Sequence, residues 1–212
     1  MMDSLMNCCG TLALKTMARV ERAPWAWRLR NLPNLLRGVP GVLAAWTVFY
    51  LFGIPSLIGQ VRLRKINRAT GRVIDYGLVG WRVVTTVGVG YIVDAFQNTV
   101  ELENMKYHGF GTGGTAEAVG DTALVTELTT QYAVDSTRPT GTTIEGASAN
   151  IYRSVATLSP DTGGTIAVTE HGIFSAASAG VLLDRTLFAA VNLVAGSDSL
   201  QATYDLTFTA GS

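Results

Sequence analysis

Apolar and polar residues alternate most regularly at the C-terminal end of the chain. Over residues 199–209, Leu200, Ala202, Tyr204, Leu206 and Phe208 fall on one side and the residues between them are polar. A period of two held this long predicts a strand with one face in a core and the other toward water. At about 3.4 Å per residue it spans roughly 34 Å, enough to cross a sandwich. Two more strand-like runs precede it, Thr165–Phe174 and 181–193, joined through residues 175–180. Further upstream, residues 61–68 and 73–80 read as a hairpin with Thr70-Gly71 at its tip. Residues 82–86, 123–128 and 150–158 are further strand candidates, and 90–98 reads as a short amphipathic helix with Ile92, Val93 and Phe96 on one face. Between the last two strands, 129–149 is a Thr/Gly-rich loop carrying Arg138-Pro139, long enough to imply a partner or a function.

The N-terminal third follows a different pattern. Residues 17–40 are basic and aromatic, and Pro24, Pro33 and Pro40 are expected to cut them into pieces of about two turns. Residues 38–61 hold no charge at all. A lipid span is the obvious alternative there. Yet Pro40 and Pro55 bracket about 21 Å of helix, short of the ~30 Å hydrocarbon core. Arg37 on one side and Arg62 and Arg64 on the other give no orientation signal. A secretory signal does not fit either, because the basic lead is long and no Ala-x-Ala site follows. The preferred reading is a helix buried between subunits or under the β-domain. The patterns together predict an all-β fold: an antiparallel, jelly-roll-like β-sandwich over 61–212, preceded by a basic and apolar, partly helical N-terminal arm over 1–60.

Composition sharpens this picture at three points. Hydrophobic residues make up 48% of the 212 and charged residues only 15%, which suits a β-protein with much of its surface covered by neighbours. The zero net charge conceals an asymmetry. Residues 1–72 hold eleven Lys/Arg against two acids, a net +9, and residues 73–212 hold five against fourteen, a net −9. The basic part is therefore expected to meet something negative: nucleic acid, a lipid surface, or the acidic part of a neighbouring copy, which needs no further partner. Cys8 and Cys9 are adjacent and have no third cysteine to pair with, so no disulfide framework exists and assembly in a reducing cytoplasm is expected. Residues 1–16 show no periodicity, and Met17 is a possible alternative start.

Little here points to chemistry. The run from His108 to Thr115 is glycine-rich but lacks the Lys-Ser/Thr ending of a P-loop and the spacing of a dinucleotide fingerprint, so it reads as a tight crossing. His108 and His171 both precede glycine and have acids nearby (Glu170, Asp184), but no third ligand and no Gly-x-Ser-x-Gly elbow accompany them. They are expected to mark equivalent strand ends, each imidazole satisfied by backbone groups. Asp184 and Arg185 point to opposite faces of one strand and are expected to pair across strand or subunit boundaries. No catalytic, cofactor-binding or metal-binding residue is assigned. The candidate partner-contacting residues are Trp25, Trp27, Arg28, Arg30, Arg37, Trp46, Phe49, Tyr50 and Phe52, since Trp and Arg are enriched at protein interfaces. Trp25 and Trp27 among arginines also suit base stacking, the reading not preferred.

From Gly111 to Leu124 the chain reads Gly-Thr-Gly-Gly-Thr-Ala-Glu-Ala-Val-Gly-Asp-Thr-Ala-Leu, followed by Arg138-Pro-Thr-Gly141 and Asn150-Ile-Tyr-Arg153. Then come Thr169-Glu-His-Gly-Ile-Phe-Ser-Ala-Ala, Gly180-Val-Leu-Leu-Asp-Arg, and Asp198-Ser-Leu-Gln-Ala-Thr-Tyr-Asp-Leu-Thr-Phe. Over about residues 70–212 these runs resemble β-sandwich virion proteins of tailed bacteriophages. Ser197 interrupts the Gly-Asp-Ser that precedes the last strand in such proteins. The resemblance implies a non-enzymatic virion structural protein without cofactors, assembled in the host cytoplasm. It would be a capsid decoration or cement protein, homo-oligomeric and contacting the major capsid protein or other virion proteins. A tail, baseplate or fibre-attachment protein is the first alternative and a membrane-active or receptor-binding module the second.

Overall fold

The computed structural model describes residues 20–54 and 56–209, so Cys8, Cys9 and the alternative start at Met17 lie outside the described residues. The alternating C-terminal run forms strand β10 (Asp198–Phe208), and its apolar side builds the core: Leu200, Ala202, Tyr204 and Leu206 are buried. β10 sits inside a six-stranded sheet, paired antiparallel with β2 (Leu57–Asn67) on one side and β7 (Ile151–Leu158) on the other. β3 (Val73–Trp81) and β1 (Val20–Arg22) extend this sheet beyond β2, and β6 (Thr142–Glu145) closes the far edge. A second sheet has the order β4-β9-β8-β5, with β4 at Val83–Val84, β5 at Tyr107–Gly111, β8 at Thr165–Phe174 and β9 at Leu182–Val194. Val61, Leu63, Leu158 and Leu200 of the first sheet pack against Val168, Phe188, Val191 and Leu193 of the second in one core.

The predicted hairpin is β2–β3, and its turn is held by Asn67, whose side-chain oxygen accepts from the Thr70 N–H at 2.9 Å. The ladder shifts register twice, between Val61 and Arg62 and between Leu63 and Arg64, on either side of the Leu63–Gly77 pair; Gly77 has a φ of 67° and donates its N–H to Asp75 Oδ1 at 2.8 Å. The fold is mostly β rather than all-β, and β1 pairs parallel with β3, so the first sheet is mixed. β2 begins at Leu57, so the boundary drawn between 60 and 61 falls inside a strand. Residues 123–128 form no strand and contribute only a bridge between Gly111 and Glu127.

The largest departure is helix α1, which runs unbroken from Trp25 to Phe52, 28 residues or about 42 Å, through both Pro33 and Pro40. Each proline removes one backbone bond, to Leu29 and Leu36 respectively. The two prolines are seven residues apart and so on one face, and Pro33, Pro40, Leu29 and Leu36 are all exposed. The orphaned carbonyls therefore open toward water, which can satisfy them. Helix α2 (Thr86–Phe96) starts four residues earlier than expected, capped by Thr85, whose hydroxyl accepts from the Gly88 N–H at 2.9 Å. Its inward residues are Gly88 and Tyr91, whereas Val93 and Phe96 face out, Phe96 at 85% exposure. Gly88 lies so close to the Leu183 backbone that a Cβ there would overlap it.

Candidate partner interface: the overhanging half of the long helix

Two halves of α1 behave differently. The first is bolted to the sandwich. Trp27 is buried in the main core, stacks edge-on to Tyr76 at 4.6 Å, and donates its indole N–H to the carbonyls of Ala189 and Ala190 at 3.1 and 2.9 Å. One turn on, Asn31 is fully buried and bridges the sheets. Its Nδ2 donates to the Val79 carbonyl, and its Oδ1 accepts from the Ala189 N–H, both at 2.8 Å. Gly38 then passes against Trp81, leaving no room for a Cβ, and Arg37 pairs with Glu117 at 3.3 Å.

Beyond Gly38 the helix leaves the sheet. No residue from Leu32 to Phe52 is buried, and the most apolar 18-residue window of α1, with a mean hydropathy of 1.5, has none of its residues inside the structure. Apolar side chains cover every side of the last fourteen residues, about 21 Å of helix. Trp46, Phe49 and Tyr50 form a ladder, with Trp46 and Tyr50 stacked at 5.4 Å, and Leu51 and Phe52 stand about 70% exposed on the other side. Thr47 turns back to donate its hydroxyl to the Leu43 carbonyl at 2.8 Å. A helix apolar all round is normally covered by protein or lipid. Gly53, with φ of 63°, ends it and returns the chain to β2.

Of the nine candidate residues, then, Trp46, Phe49, Tyr50 and Phe52 lie on the overhang, while Trp25, Arg28, Arg30 and Arg37 lie exposed on the docked half. Trp27 is the exception. It belongs to this chain's own core, because its position on α1 is the one that faces β9. Val93 and Phe96 on α2, and Phe208 at the end of β10, were read in the sequence as parts of an apolar face rather than as partner contacts, and all three are exposed.

Buried polar chains hold the frame on which α1 sits. Glu170 on β8 accepts from the backbone N–H groups of Gly113, Val125 and Thr126 at 2.8–3.1 Å and pairs with Arg185 at 2.8 Å. Arg185 also pairs with Asp121 and donates to the Thr115 carbonyl. Burial works against its charge, and the hydrogen bonds it donates to Asp121 and Glu170 outweigh that and raise its pKa. These contacts fix the loop that carries Glu117, the partner of Arg37. A Cβ at Gly111 or Gly113 would run into the Glu170 carboxylate, so the glycine-rich run is a cradle for Glu170.

A second chain joins the two sheets. Ser154 Oγ, His108, His171, Arg82 and Asp184 lie in a row, with contacts of 2.9 Å (Ser154 to His108 Nε2), 2.9 Å (His108 Nδ1 to His171 Nε2) and 2.8 Å (His171 Nδ1 to Arg82). Arg82 is paired with Asp184. The imidazoles thus meet each other and side chains, not the backbone groups expected of them. Asp184 and Arg185 do pair across strands and loops, each on its own face. Because a guanidinium only donates, His171 Nδ1 must accept, so His171 carries its proton on Nε2 and gives it to His108 Nδ1. His108 in turn donates from Nε2 to Ser154. This direction is the reverse of what a general base requires, and all five side chains are buried. Burial and then the nearby Arg82 charge lower His108 to about 3, and the same causes hold His171 well below its ordinary value. Among the described residues no group of three His, Cys, Asp or Glu side chains forms a metal cage.

No protein-family model, curated protein or solved structure matches the chain.

Proposed function

We propose that this chain is a non-enzymatic virion structural protein of the tailed-phage kind, a capsid decoration or cement protein that stabilises the head through subunit–subunit contacts. The observation that carries the proposal is the overhanging half of α1: a rigidly mounted helix, apolar on every side, projecting from a two-sheet domain with buried ion pairs. Such a helix stabilises an assembly by burying apolar area and requires no chemistry. The finer fold assignment agrees with this. β8 pairs with β9, and β7 with β10, so two nested antiparallel pairs pass together from one sheet to the other, and this nesting supports a jelly-roll-like winding. A membrane-associated role is the second reading, favoured by the length and hydropathy of α1.

Quantitative mass spectrometry of purified virions tests the proposal. The expected result is about one copy or more per few capsid subunits. A handful of copies per particle would move the chain to the tail or baseplate, and absence from the virion would overturn the reading.

A further inference from the structure

An apolar cleft opens between α2, the 3-10 turn at Leu102–Asn104 and the ends of β7, β9 and β10. It is lined by Ile92, Leu102, Met105, Tyr152, Leu183 and Phe208, and its volume of about 300 Å³ has room for one or two aromatic rings. Its rim is acidic: Glu103 lines it, and Asp94 and Glu101 are exposed on the same α2-to-turn segment. The cleft and the helix overhang match in apolar character, and the chain on either side of the uncharged overhang is basic where the cleft side is acidic. The overhang offers Tyr50 and Phe52, 72% and 70% exposed, and the chain that carries it is basic. Described residues 20–72 hold nine Lys/Arg and one acid, Glu21, with Arg28, Arg30, Arg62 and Arg64 all exposed.

We propose that the overhanging half of α1 seats its terminal residue Phe52 in this cleft on a second copy of the chain, with Tyr50 against the cleft's edge, in a head-to-tail contact. The proposal rests on the reading of the overhang as a docking element and names its partner. Within one chain the contact is not made. No residue of α1 lines the cleft, and Trp27, Asn31 and Gly38 hold the helix along β3 and β9. The exposed apolar side chains from Leu43 to Ile54 amount to roughly 900 Å², about what one partner contributes to a standard interface. Lipid is the poorer fit, since about 21 Å of overhang is short of a ~30 Å hydrocarbon core and an acidic rim repels lipid phosphate. A heterologous contact of this kind repeats from copy to copy, giving a ring if the rotation closes and a chain of subunits if it does not.

Light scattering during size-exclusion chromatography tests this with the full chain and two variants. Tyr50→Glu with Phe52→Glu removes the knob, and Leu102→Glu charges the cleft. All three positions are exposed, so circular dichroism should match the wild type. The wild type should assemble beyond the monomer as its concentration rises into the tens of micromolar, and each variant should remain monomeric. An equimolar mixture of the two variants should run at twice the monomer mass, because one intact knob then meets one intact cleft. A monomeric wild type, variants that still assemble, or a mixture that stays monomeric would overturn the proposal. So would a wild-type monomer that floats with phosphatidylcholine vesicles, which would assign the overhang to lipid. Because no virion is involved, failure here with the chain present in virions would reject the partner and leave the proposed function standing.

Discussion

Acid should unfold this protein earlier than its carboxylates alone would dictate. The direction of donation from Arg82 through His171 and His108 to Ser154 requires both imidazoles to be neutral, and both are wholly buried. In the unfolded chain each has a pKa near 6.5. A histidine whose folded value is depressed contributes stability that is intact above the unfolded value and is lost as pH falls from there toward the folded value. For His108, held at about 3, that window runs from pH 6.5 down to about 3. The unfolded state binds the extra proton, so stability falls by up to about 1.4 kcal/mol per pH unit, or about 2 kcal/mol by pH 5. His171 adds a loss of the same sign. Against a total of about 5–15 kcal/mol, this is a large fraction.

Burial opposes the ionisation of Asp198, but hydrogen bonds from Lys65, the Val194 N–H and Asn67 outweigh it and lower its pKa, so its contribution is lost only below the ordinary carboxylate value, beneath the pH 7 to 5 range. Urea titrations followed by tryptophan fluorescence at pH 7, 6 and 5 should give a falling midpoint at constant m-value. His108→Gln, which can accept from His171 and donate to Ser154, should be less stable at pH 7 and lose less between pH 7 and 5. A midpoint flat across that range in the wild type would refute the argument, because it would mean that the imidazoles are charged in the fold or open to water.

Trp27→Ala should cost about 3–5 kcal/mol in urea unfolding, since it vacates the core and frees two carbonyls. Asn31→Ala should cost several kcal/mol by the same measure, because buried groups on both β3 and β9 are left unpaired at about 1–3 kcal/mol each. Arg185→Met should cost about 3–5 kcal/mol by stranding the buried Glu170 carboxylate, and Arg185→Met with Glu170→Gln should recover part of it in a double-mutant cycle. Gly141→Ala should lower the melting temperature by several degrees, because its Cβ would overlap Ser154 Oγ and crowd His108 Nε2.

Strands with one face in the core were legible in the sequence because burial imposes a period of two: β8 matches Thr165–Phe174, and β10 matches its run within a residue. The hairpin was legible through Thr70-Gly71. What escaped was what depends on other parts of the chain. Pro33 and Pro40 looked like breaks, and only the position of α1 on the sheet puts their orphaned carbonyls on the solvent side. The two His-Gly pairs were visible, but their meaning lies in the β5–β8 register, which sets Gly109 opposite Gly172 and places His108 and His171 diagonally on one face. Trp25 and Trp27 looked alike in sequence. Two residues along a helix is about 200° around its axis, so one faces β9 and the other faces water.

The same geometry explains why polar residues are spent inside a protein whose most apolar helix lies outside. Buried ion pairs are poor sources of stability, but removing one partner is costly, so they enforce a single arrangement. Glu170 and Arg185 pin the loop holding Glu117. Glu117 meets Arg37, and Asn31 and Trp27 clamp the turns before it. Every one of these contacts lies between Trp25 and Gly38, where the overhang begins. A helix mounted this way has already lost the orientational freedom that a flexible arm would lose on docking, a saving of about 0.5–1.5 kcal/mol per side chain held in place. In the proposed head-to-tail contact, such an overhang would meet its partner at a fixed angle, which is what a repeating assembly requires of each subunit.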